Sequence, residues 1–220
     1  MHQRPMPELI LWDFNGTLLD DVAYAIGVRN RVFPRFGLPQ LSSLAQYHAQ
    51  FTFPVRDYYT RAGVTEDQFV AVAQAWMAEY VRGCASVPLF PDVAAALDAF
   101  AAAGARQAVL SASKADTLRD QLAQAGIAER FEAILGLSHI YATSKEEIGK
   151  AYLAQCGIAP ERCVMLGDTL HDAEVAAAMG TACVLVARGH QSHAALCAAG
   201  VPVVRDLNEA VATLLGRKTG

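Results

Sequence analysis

The chain has 220 residues, of which 53% are hydrophobic and 18% charged, and its formal net charge is −4. This length and balance indicate a folded globular protein and exclude a disordered or collagen-like chain. No run of basic residues is longer than two, so the sequence lacks the stripe of positive charge that binds a nucleic-acid backbone. We therefore expect no nucleic-acid partner.

The cysteines and apolar runs limit where the protein can reside. Five cysteines form no CxxC pair, which favours a reducing compartment and a cytoplasmic location. The first apolar stretch, residues 9–12, is cut by Asp13 and is too short for a signal-peptide core. The longest run, residues 175–187, is interrupted by Gly180 and falls short of the ~20 residues that span a bilayer. We expect no contact with a membrane.

Short apolar runs alternate with helical patterns along most of the chain. The predicted strands are residues 9–12, 107–110, 133–135, 163–166, 182–186 and 201–204. The predicted helices are residues 92–103, 114–125, 146–156 and 172–179, and a glycine follows each of them, as is typical of helix C-caps. This alternation predicts an α/β fold with a Rossmann-like parallel sheet and a functional site at the carboxyl ends of the strands.

Residues 20–87 break the alternation. They show helical periodicity, many aromatic residues and no convincing strand, with helices predicted at residues 22–36 and 66–82. Pro88 and Pro91 mark the linker that returns to the alternating part. We interpret this stretch as an inserted helical cap. The predicted division is a core of residues 1–19 and 88–220 and a cap of residues 20–87.

Polar side chains follow the predicted strands at four places. Singly, each has an ordinary explanation as a turn residue, a helix cap or a solvated lysine. The four places, in chain order, are Asp13 with Asn15, Ser111, Lys145, and the pair Asp168 and Asp172.

Together these motifs resemble the haloacid dehalogenase (HAD) superfamily of phosphohydrolases, in the phosphoglycolate-phosphatase-like branch with a small helical cap. The resemblance covers nearly the whole chain. It is carried by Asp13-Phe14-Asn15-Gly16-Thr17-Leu18, Ser111, Lys145 twelve residues before Gly157, and Gly167-Asp168 with Asp172. It implies Mg²⁺-dependent hydrolysis of a small phosphorylated metabolite, such as phosphoglycolate or a sugar phosphate, by a monomer or homodimer.

The resemblance also implies a role for each matched residue. Asp13 would attack phosphorus and form an aspartyl phosphate, which water then hydrolyses. Mg²⁺ would be held by oxygen atoms of Asp13, the Asn15 carbonyl and Asp168. Asp172 would be a further ligand, directly or through water, or would hold Lys145 in place.

The remaining matched groups would bind the phosphate. Lys145 would neutralise the charge that develops on the transferred group, and Ser111 would donate a hydrogen bond to a phosphate oxygen. Backbone amides after Asp13, at Phe14 and Asn15, would complete the cradle.

Asn15 departs from the family pattern, which has a second acid at this position. An amide cannot transfer a proton at neutral pH, and general acid–base catalysis is typically worth ~10²–10⁴ in rate. Three interpretations follow: a phosphatase with a substitute acid such as His48, His171 or the substrate itself, a related hydrolase of carbon–phosphorus or carbon–halogen bonds, or a weakened catalyst that binds phosphorylated ligands for regulation.

The phosphatase is the favoured interpretation. The complete phosphate and metal set argues against carbon–halogen cleavage, and the absence of lysine from residues 20–87 leaves carbon–phosphorus cleavage without its Schiff-base amine. Two weaker signals remain. Arg56 in the cap could recognise a substrate carboxylate. His190 and His193 lack a third ligand at zinc spacing, so we expect them at the surface or at the rim of the site.

Overall fold

The computed structural model describes residues 6–137 and 144–216. Six strands form one sheet: β1 (Leu9–Trp12), β2 (Arg106–Lys114), β3 (Ala133–Leu137), β4 (Cys163–Gly167), β5 (Ala182–Val186) and β6 (Val203–Val204). Their order is β3-β2-β1-β4-β5-β6, and every pair is parallel. The expected α/β fold with a Rossmann-like parallel sheet is confirmed.

Ten α-helices accompany the sheet in the described part of the chain. Four of them precede β2 in the region expected to be helical: α1 (Val22–Val32), α2 (Leu44–Gln50), α3 (Val55–Arg61) and α4 (Glu66–Gly83). The others are α5 (Val93–Ala102), α6 (Ala115–Gln124), α7 (Lys145–Cys156), α8 (Leu170–Met179), α9 (His193–Leu196) and α10 (Leu207–Leu215).

The sheet is covered on both faces, which explains why its central strand is apolar throughout. Ile10 and Trp12 of β1 pack into a cluster that includes residues of α5, α6 and α10. Leu9 and Leu11 point to the opposite face, where residues of α7, α8 and α9 pack. Because side chains alternate along a strand, four consecutive apolar residues supply two layers of core.

The helices between β1 and α5 have their own hydrophobic cluster, which includes Val28, Phe33, Tyr58 and Val72. This region leaves and rejoins the sheet through adjacent backbone. Leu19 forms an antiparallel bridge with Leu89, and the Asp20 amide donates to the Pro88 carbonyl at 2.9 Å. These contacts agree with an inserted cap, although the predicted boundaries at residues 19/20 and 87/88 stay a prediction.

The five cysteines are all free thiols. None of the helices in residues 6–137 and 144–216 has the length and hydropathy of a membrane span.

Candidate active site

The sheet topology brings the predicted residues together. β1 lies between β2 and β4, with Trp12 paired to Val109 on one side and to Leu166 on the other. The carboxyl ends of parallel neighbours meet at one edge, so Asp13, Ser111 and Asp168 converge there. All three side chains are buried.

Lys145 links two of the carboxylates. It is the first residue of α7 and only 4% exposed. Its Nζ lies 2.6 Å from Oδ1 of Asp13 and 2.6 Å from Oδ1 of Asp172. Ser144 caps α7 by accepting a hydrogen bond from the Glu147 amide, which fixes where the helix begins. A buried ammonium group needs such partners, because burial otherwise disfavours its charge.

Asp172 holds Lys145 from the start of α8. Its Oδ2 accepts hydrogen bonds from the amides of Asp168 (3.1 Å) and Thr169 (3.0 Å) and from the Thr169 hydroxyl (2.7 Å). Burial alone would raise the pKa of Asp172, but Lys145 and these donors hold it below its ordinary value. Both oxygens of Asp172 are therefore engaged by groups of the chain, which favours an anchoring role over direct metal ligation.

Asp168 is packed closely by backbone. Its Oδ2 accepts a hydrogen bond from the His190 amide at 2.6 Å, and its Oδ1 lies 3.3 Å from the Thr17 hydroxyl. A Cβ atom on Gly16 would lie 2.3 Å from Oδ2 of Asp168, and one on Gly189 would lie 2.0 Å from it. Only glycine fits at either position without displacing the carboxylate.

Asp13, Asp168 and Asp172 each offer one carboxylate oxygen as a metal ligand, and these oxygens lie within 4.8 Å of one another. Burial raises the pKa of Asp13 to about 6, against the opposing effect of Lys145. Burial raises the pKa of Asp168 well above its ordinary value as well. Clustered buried carboxylates need compensating positive charge, and hard oxygen donors suit Mg²⁺. The donor set therefore fits the magnesium ion that the family implies. Oδ2 of Asp13 and Oδ1 of Asp168 are the least engaged oxygens, since within the described residues each accepts only from the Thr17 hydroxyl, at 3.3 Å.

The side chain of Asn15 is fully used in hydrogen bonds to other side chains. Its Nδ2 donates to Oδ2 of Asp21 at 2.9 Å and to the Tyr80 hydroxyl at 2.8 Å, and its Oδ1 accepts from the Ser113 hydroxyl at 2.9 Å. Both amide hydrogens are thus used. The side chain connects the loop after β1 to α4 and to β2.

Asp21 collects several donors besides Asn15. The Tyr80 hydroxyl donates to its Oδ2 at 2.7 Å, the Gly16 amide donates to its Oδ1 at 2.9 Å, and Nε2 of His190 lies 3.2 Å from that oxygen. Burial favours neutral Asp21, but the charge of His190 and these hydrogen bonds hold its pKa below the ordinary value. Asp21 is therefore a buried carboxylate.

Of the two positions expected for His190, the surface and the rim of the site, the structure excludes the surface. Its side chain is buried and faces the cavity above the site, and Nδ1 lies 2.7 Å from the Tyr47 hydroxyl. Burial disfavours its charged form, yet Asp21 raises its pKa to about 9. Its partners lie far away in sequence, which is why the local pattern gave no sign of this position. His193 is exposed, as expected.

The predicted phosphate-binding groups lie around Asp13. Ser111 lies within β2 rather than at its end, because that strand continues to Lys114 with an irregular register after Leu110. The Phe14 amide lowers the pKa of Asp13 through a backbone hydrogen bond. Ser111 and Lys145 both line the cavity that opens above Asp13. Their roles toward phosphate stay predictions.

Three other predicted residues lie further out. The Arg56 guanidinium pairs with Glu66 and lies 4.3 Å from the centroid of the Phe69 ring. Nε2 of His48 lies 3.1 Å from the Gly189 carbonyl, and His171 stacks on Phe53 with a centroid distance of 4.6 Å. Among these, only His171 lines the cavity.

Sequence reasoning missed the residues around Asn15. Asp21 lies only eight residues after Asp13, so the sequence could have suggested it as a site residue. No local pattern suggests Tyr80 or His190. These residues meet across 59 and 169 positions of sequence, so the tertiary fold alone brings them together.

A family model for haloacid dehalogenase-like hydrolases matches residues 10–186. The chain therefore belongs to the haloacid dehalogenase-like hydrolase family.

Three relatives show the range of this family around the chain. Tyrosine-protein kinase PtkA of Mycobacterium tuberculosis is 32% identical over 186 residues, which cover 84% of this chain and 63% of PtkA. This chain thus spans less than two thirds of that relative. Phosphoglycolate phosphatase of Synechococcus elongatus is 24% identical over 192 residues, covering 87% of this chain and 89% of the relative. The phosphoserine phosphatase of Thermus thermophilus is 30% identical over 162 residues, covering 72% and 63%.

Solved structures agree on the fold. The structure of Mycobacterium tuberculosis PtkA has a TM-score of 0.82 at 26% identity and covers 95% of this chain and 98% of that one. A haloacid dehalogenase-like hydrolase from Streptococcus pneumoniae has a TM-score of 0.81 at 21% identity, covering 94% and 97%. Two of the three relatives above are named as phosphatases.

Proposed function

We propose that this chain is a Mg²⁺-dependent phosphatase that hydrolyses a phosphate monoester through a covalent intermediate on Asp13. One observation carries the proposal: Nζ of Lys145 lies 2.6 Å from both Asp13 and Asp172, in a buried cluster that also contains Asp168. Such a cluster would supply the nucleophile, the fixed cation and the metal ligands that this reaction needs.

The chain's own groups divide the reaction between them. An oxygen of Asp13 attacks phosphorus while the bond to the leaving oxygen breaks, and that oxygen departs with the electron pair. Water then attacks the phosphorus of the aspartyl phosphate, and the bond from phosphorus to the Asp13 oxygen breaks with its electron pair on the regenerated carboxylate. A proton of the water passes to solvent or to the departed oxygen, and inorganic phosphate is released. Lys145 stabilises charge on the transferred group, and Asp172 keeps Lys145 in position.

Magnesium would be held by Asp13, Asp168 and the Asn15 carbonyl, where it would offset the negative charge of the phosphate and orient that group. Ser111 would donate a hydrogen bond to a phosphate oxygen, and the Phe14 and Asn15 amides would complete the cradle. These assignments are part of the proposal.

A second candidate is a phosphoryl-binding regulatory protein with weak catalysis. The hydrogen bonds of Asn15 favour this regulatory candidate. Both amide hydrogens are donated to Asp21 and Tyr80 rather than to a leaving group, and an amide supplies no proton. A hydrolase for carbon–halogen bonds is less well supported, since that chemistry needs no metal site.

The direct test is turnover of p-nitrophenyl phosphate with Mg²⁺ by the wild type and by Asp13→Asn. We expect turnover in the wild type, its loss in the variant, and a hydroxylamine-sensitive phosphoenzyme in the wild type alone. Binding of phosphate without turnover of any ester would favour the regulatory protein. Because PtkA is named as a tyrosine-protein kinase, the assay includes ATP with a tyrosine peptide, and transfer to that peptide in place of hydrolysis would contradict the proposal.

We also propose a cytoplasmic location, since all five cysteines are free thiols. The substrate would be a small phosphorylated molecule, and the state of assembly, monomer or homodimer, stays a prediction.

A further inference from the structure

The cavity above Asp13 has a polar floor and aromatic walls. It encloses about 580 Å³ and reaches from Ser111 and Lys145 to the helices between β1 and α5. Ligand pockets for small molecules have volumes of roughly 300–1,000 Å³. Its walls include the rings of Phe51, Phe53, Tyr58, Phe69 and Trp76.

The rings of this wall pack against one another and, at Phe51 and Phe53, against the rings of His190 and His171. The centroids of Phe51 and Phe53 lie 5.6 Å apart at an interplanar angle of 87°, and Phe51 lies 5.5 Å from Tyr58. Trp76 stacks on Tyr80 at 4.9 Å, with its side chain half-buried. Aromatic rings attract one another in such edge and offset geometries.

Apolar side chains also surround the mouth of the cavity. Val55, Met77 and Val81 line it and remain 43%, 50% and 46% exposed. An exposed apolar rim around a pocket marks a surface that a ligand covers.

The cavity walls offer little positive charge to a second anionic group on the substrate. Of the described cationic residues that line the cavity, Lys145 is held by Asp13 and Asp172, and His190 is held by Asp21. The side chain of Lys114 is 58% exposed and lies 3.7 Å from Asp116. The part of the substrate beyond the phosphate therefore meets mainly apolar surface.

Asn15 gives an independent constraint on the leaving group. Its amide hydrogens are bound to Asp21 and Tyr80, so no acid at this position protonates the departing oxygen. A phenol has a pKa of about 10, whereas water, which resembles an aliphatic alcohol, has one of about 15.7. A phenolate can leave without a proton far more readily than an alkoxide.

We infer that the substrate is the phosphate monoester of a phenol, with its ring in the aromatic cavity and its phosphate at Ser111 and Lys145. This inference rests on the proposed function. The phosphorus–oxygen bond to the ring breaks as Asp13 attacks, and the electron pair leaves on the phenolate oxygen, which takes a proton from solvent. Water then releases inorganic phosphate from Asp13.

Three esters of similar size separate the two requirements. Phenyl phosphate has a ring and a phenolate leaving group, benzyl phosphate has a ring and an alkoxide, and cyclohexyl phosphate has neither an aromatic ring nor a good leaving group. We expect kcat for phenyl phosphate to exceed that for benzyl phosphate by about 100-fold or more, the low end of what general acid catalysis supplies. We expect kcat/KM for phosphoglycolate to be lower than that for phenyl phosphate.

Two further substrates distinguish the source of the phenol. Free phosphotyrosine represents a small molecule, and a phosphotyrosine peptide represents a protein side chain. A higher kcat/KM for either one than for benzyl phosphate supports the inference, and the better of the two identifies the source.

Variants of the wall test the position of the ring. Trp76→Leu is expected to raise KM for phenyl phosphate by about 2- to 10-fold, the value of one aromatic contact. Met77→Gln is the second variant. Met77 is half-exposed at the mouth of the cavity, so a polar side chain there should not prevent folding. Val70→Ala is the control, because Val70 lies on the same helix, is 53% exposed and does not line the cavity.

Benzyl or cyclohexyl phosphate turned over within about 10-fold of phenyl phosphate would overturn the inference and leave the proposed phosphatase intact. Unchanged KM in both wall variants would also overturn it. Absence of turnover for every ester would instead overturn the proposed function and this inference with it.

Discussion

The side-chain amide of Asn15 donates a hydrogen bond to the buried carboxylate of Asp21 at 2.9 Å. Because Asn15 is an amide, the pair carries one negative charge rather than two. The Tyr80 hydroxyl bonds to both members, so the three side chains form one connected unit between the loop after β1 and α4. The residue that looks like a lost acid in the sequence is a structural donor in the fold.

The first prediction is that Asn15→Asp does not accelerate the enzyme. The new carboxylate would face Asp21 across the same 2.9 Å, and a hydrogen bond to a charged acceptor would be lost. We expect the free energy of unfolding to fall by about 1.5–3 kcal/mol. Urea denaturation measures the stability, and steady-state kinetics with p-nitrophenyl phosphate measure kcat.

The matched control is the double variant Asn15→Asp with Asp21→Asn, which moves the negative charge by one side chain and restores a donor–acceptor pair. It should recover most of the stability that Asn15→Asp loses. A 100-fold rise in kcat from Asn15→Asp alone would contradict the structural role of the amide.

The second prediction concerns Asp172 as an anchor for Lys145. Asp172→Asn removes one of the two carboxylates that pair with the buried Lys145. Breaking a buried ion pair typically costs about 3–5 kcal/mol of stability, and we expect the low end because Asp13 stays paired with Lys145. We expect this loss in metal-free protein, together with a large fall in kcat. The control is Glu174→Gln on the same helix, whose side chain is 74% exposed. If Asp172→Asn changed only the affinity for Mg²⁺, the residue would be a ligand and not an anchor.

The third prediction separates the metal site from the fold. Mg²⁺ should stabilise the wild type, by about 2.7 kcal/mol at one hundred times its Kd. Burial raises the pKa of the Asp168 carboxyl group, which means that burying its charge is unfavourable. Asp168→Asn removes that charge, so the metal-free variant should be at least as stable as the metal-free wild type. Thermal unfolding with Mg²⁺ or EDTA tests both points. If Mg²⁺ raised the Tm of the two proteins equally, Asp168 would not be a magnesium ligand.

The fourth prediction uses the close approach of backbone to Asp168. In Gly189→Ala the new methyl group would lie 2.0 Å from Oδ2 of Asp168, so the carboxylate must move. A displacement near 1 Å in an active site can cost about 100-fold in rate, which is the loss of kcat/KM we expect. Gly27→Ala is the control, because Gly27 lies in α1 and a Cβ there would meet only the flexible end of the Arg31 side chain, at 3.4 Å. Alanine there should stabilise the helix by about 0.5–1 kcal/mol. Equal activity of both variants would show that the position of Asp168 is not critical.

The sequence was most informative where local signals suffice. β1 and β5 begin and end as predicted. Glu8 and Asp13 bound the apolar run of β1, and Thr181 precedes that of β5. The glycines at 157 and 180 marked the ends of α7 and α8 in the same way. The alternation of strands and helices predicted a site at the carboxyl ends of the strands, where Asp13, Ser111 and Asp168 lie, and the family resemblance added Lys145 to it.

Local signals were insufficient in the region before β2. The helices α2 and α3 have seven residues each and were not predicted, because so few residues show no clear period of burial. α10 was missed near the other end of the chain. The contacts of Asn15 also escaped prediction, since Tyr80 lies 65 residues away and its position depends on how α4 packs.

The bridge between Leu19 and Leu89 gives the helical region an entrance and an exit side by side. Such a region can in principle be exchanged between relatives as a module, since neither the order nor the register of the sheet depends on it. Asn15 sets a condition on that exchange. A donor region that lacks Asp21 and Tyr80 would leave the amide without partners, and a recipient with aspartate at position 15 would place two carboxylates together. The residue beside the nucleophile and the region that covers it are therefore expected to change together in evolution.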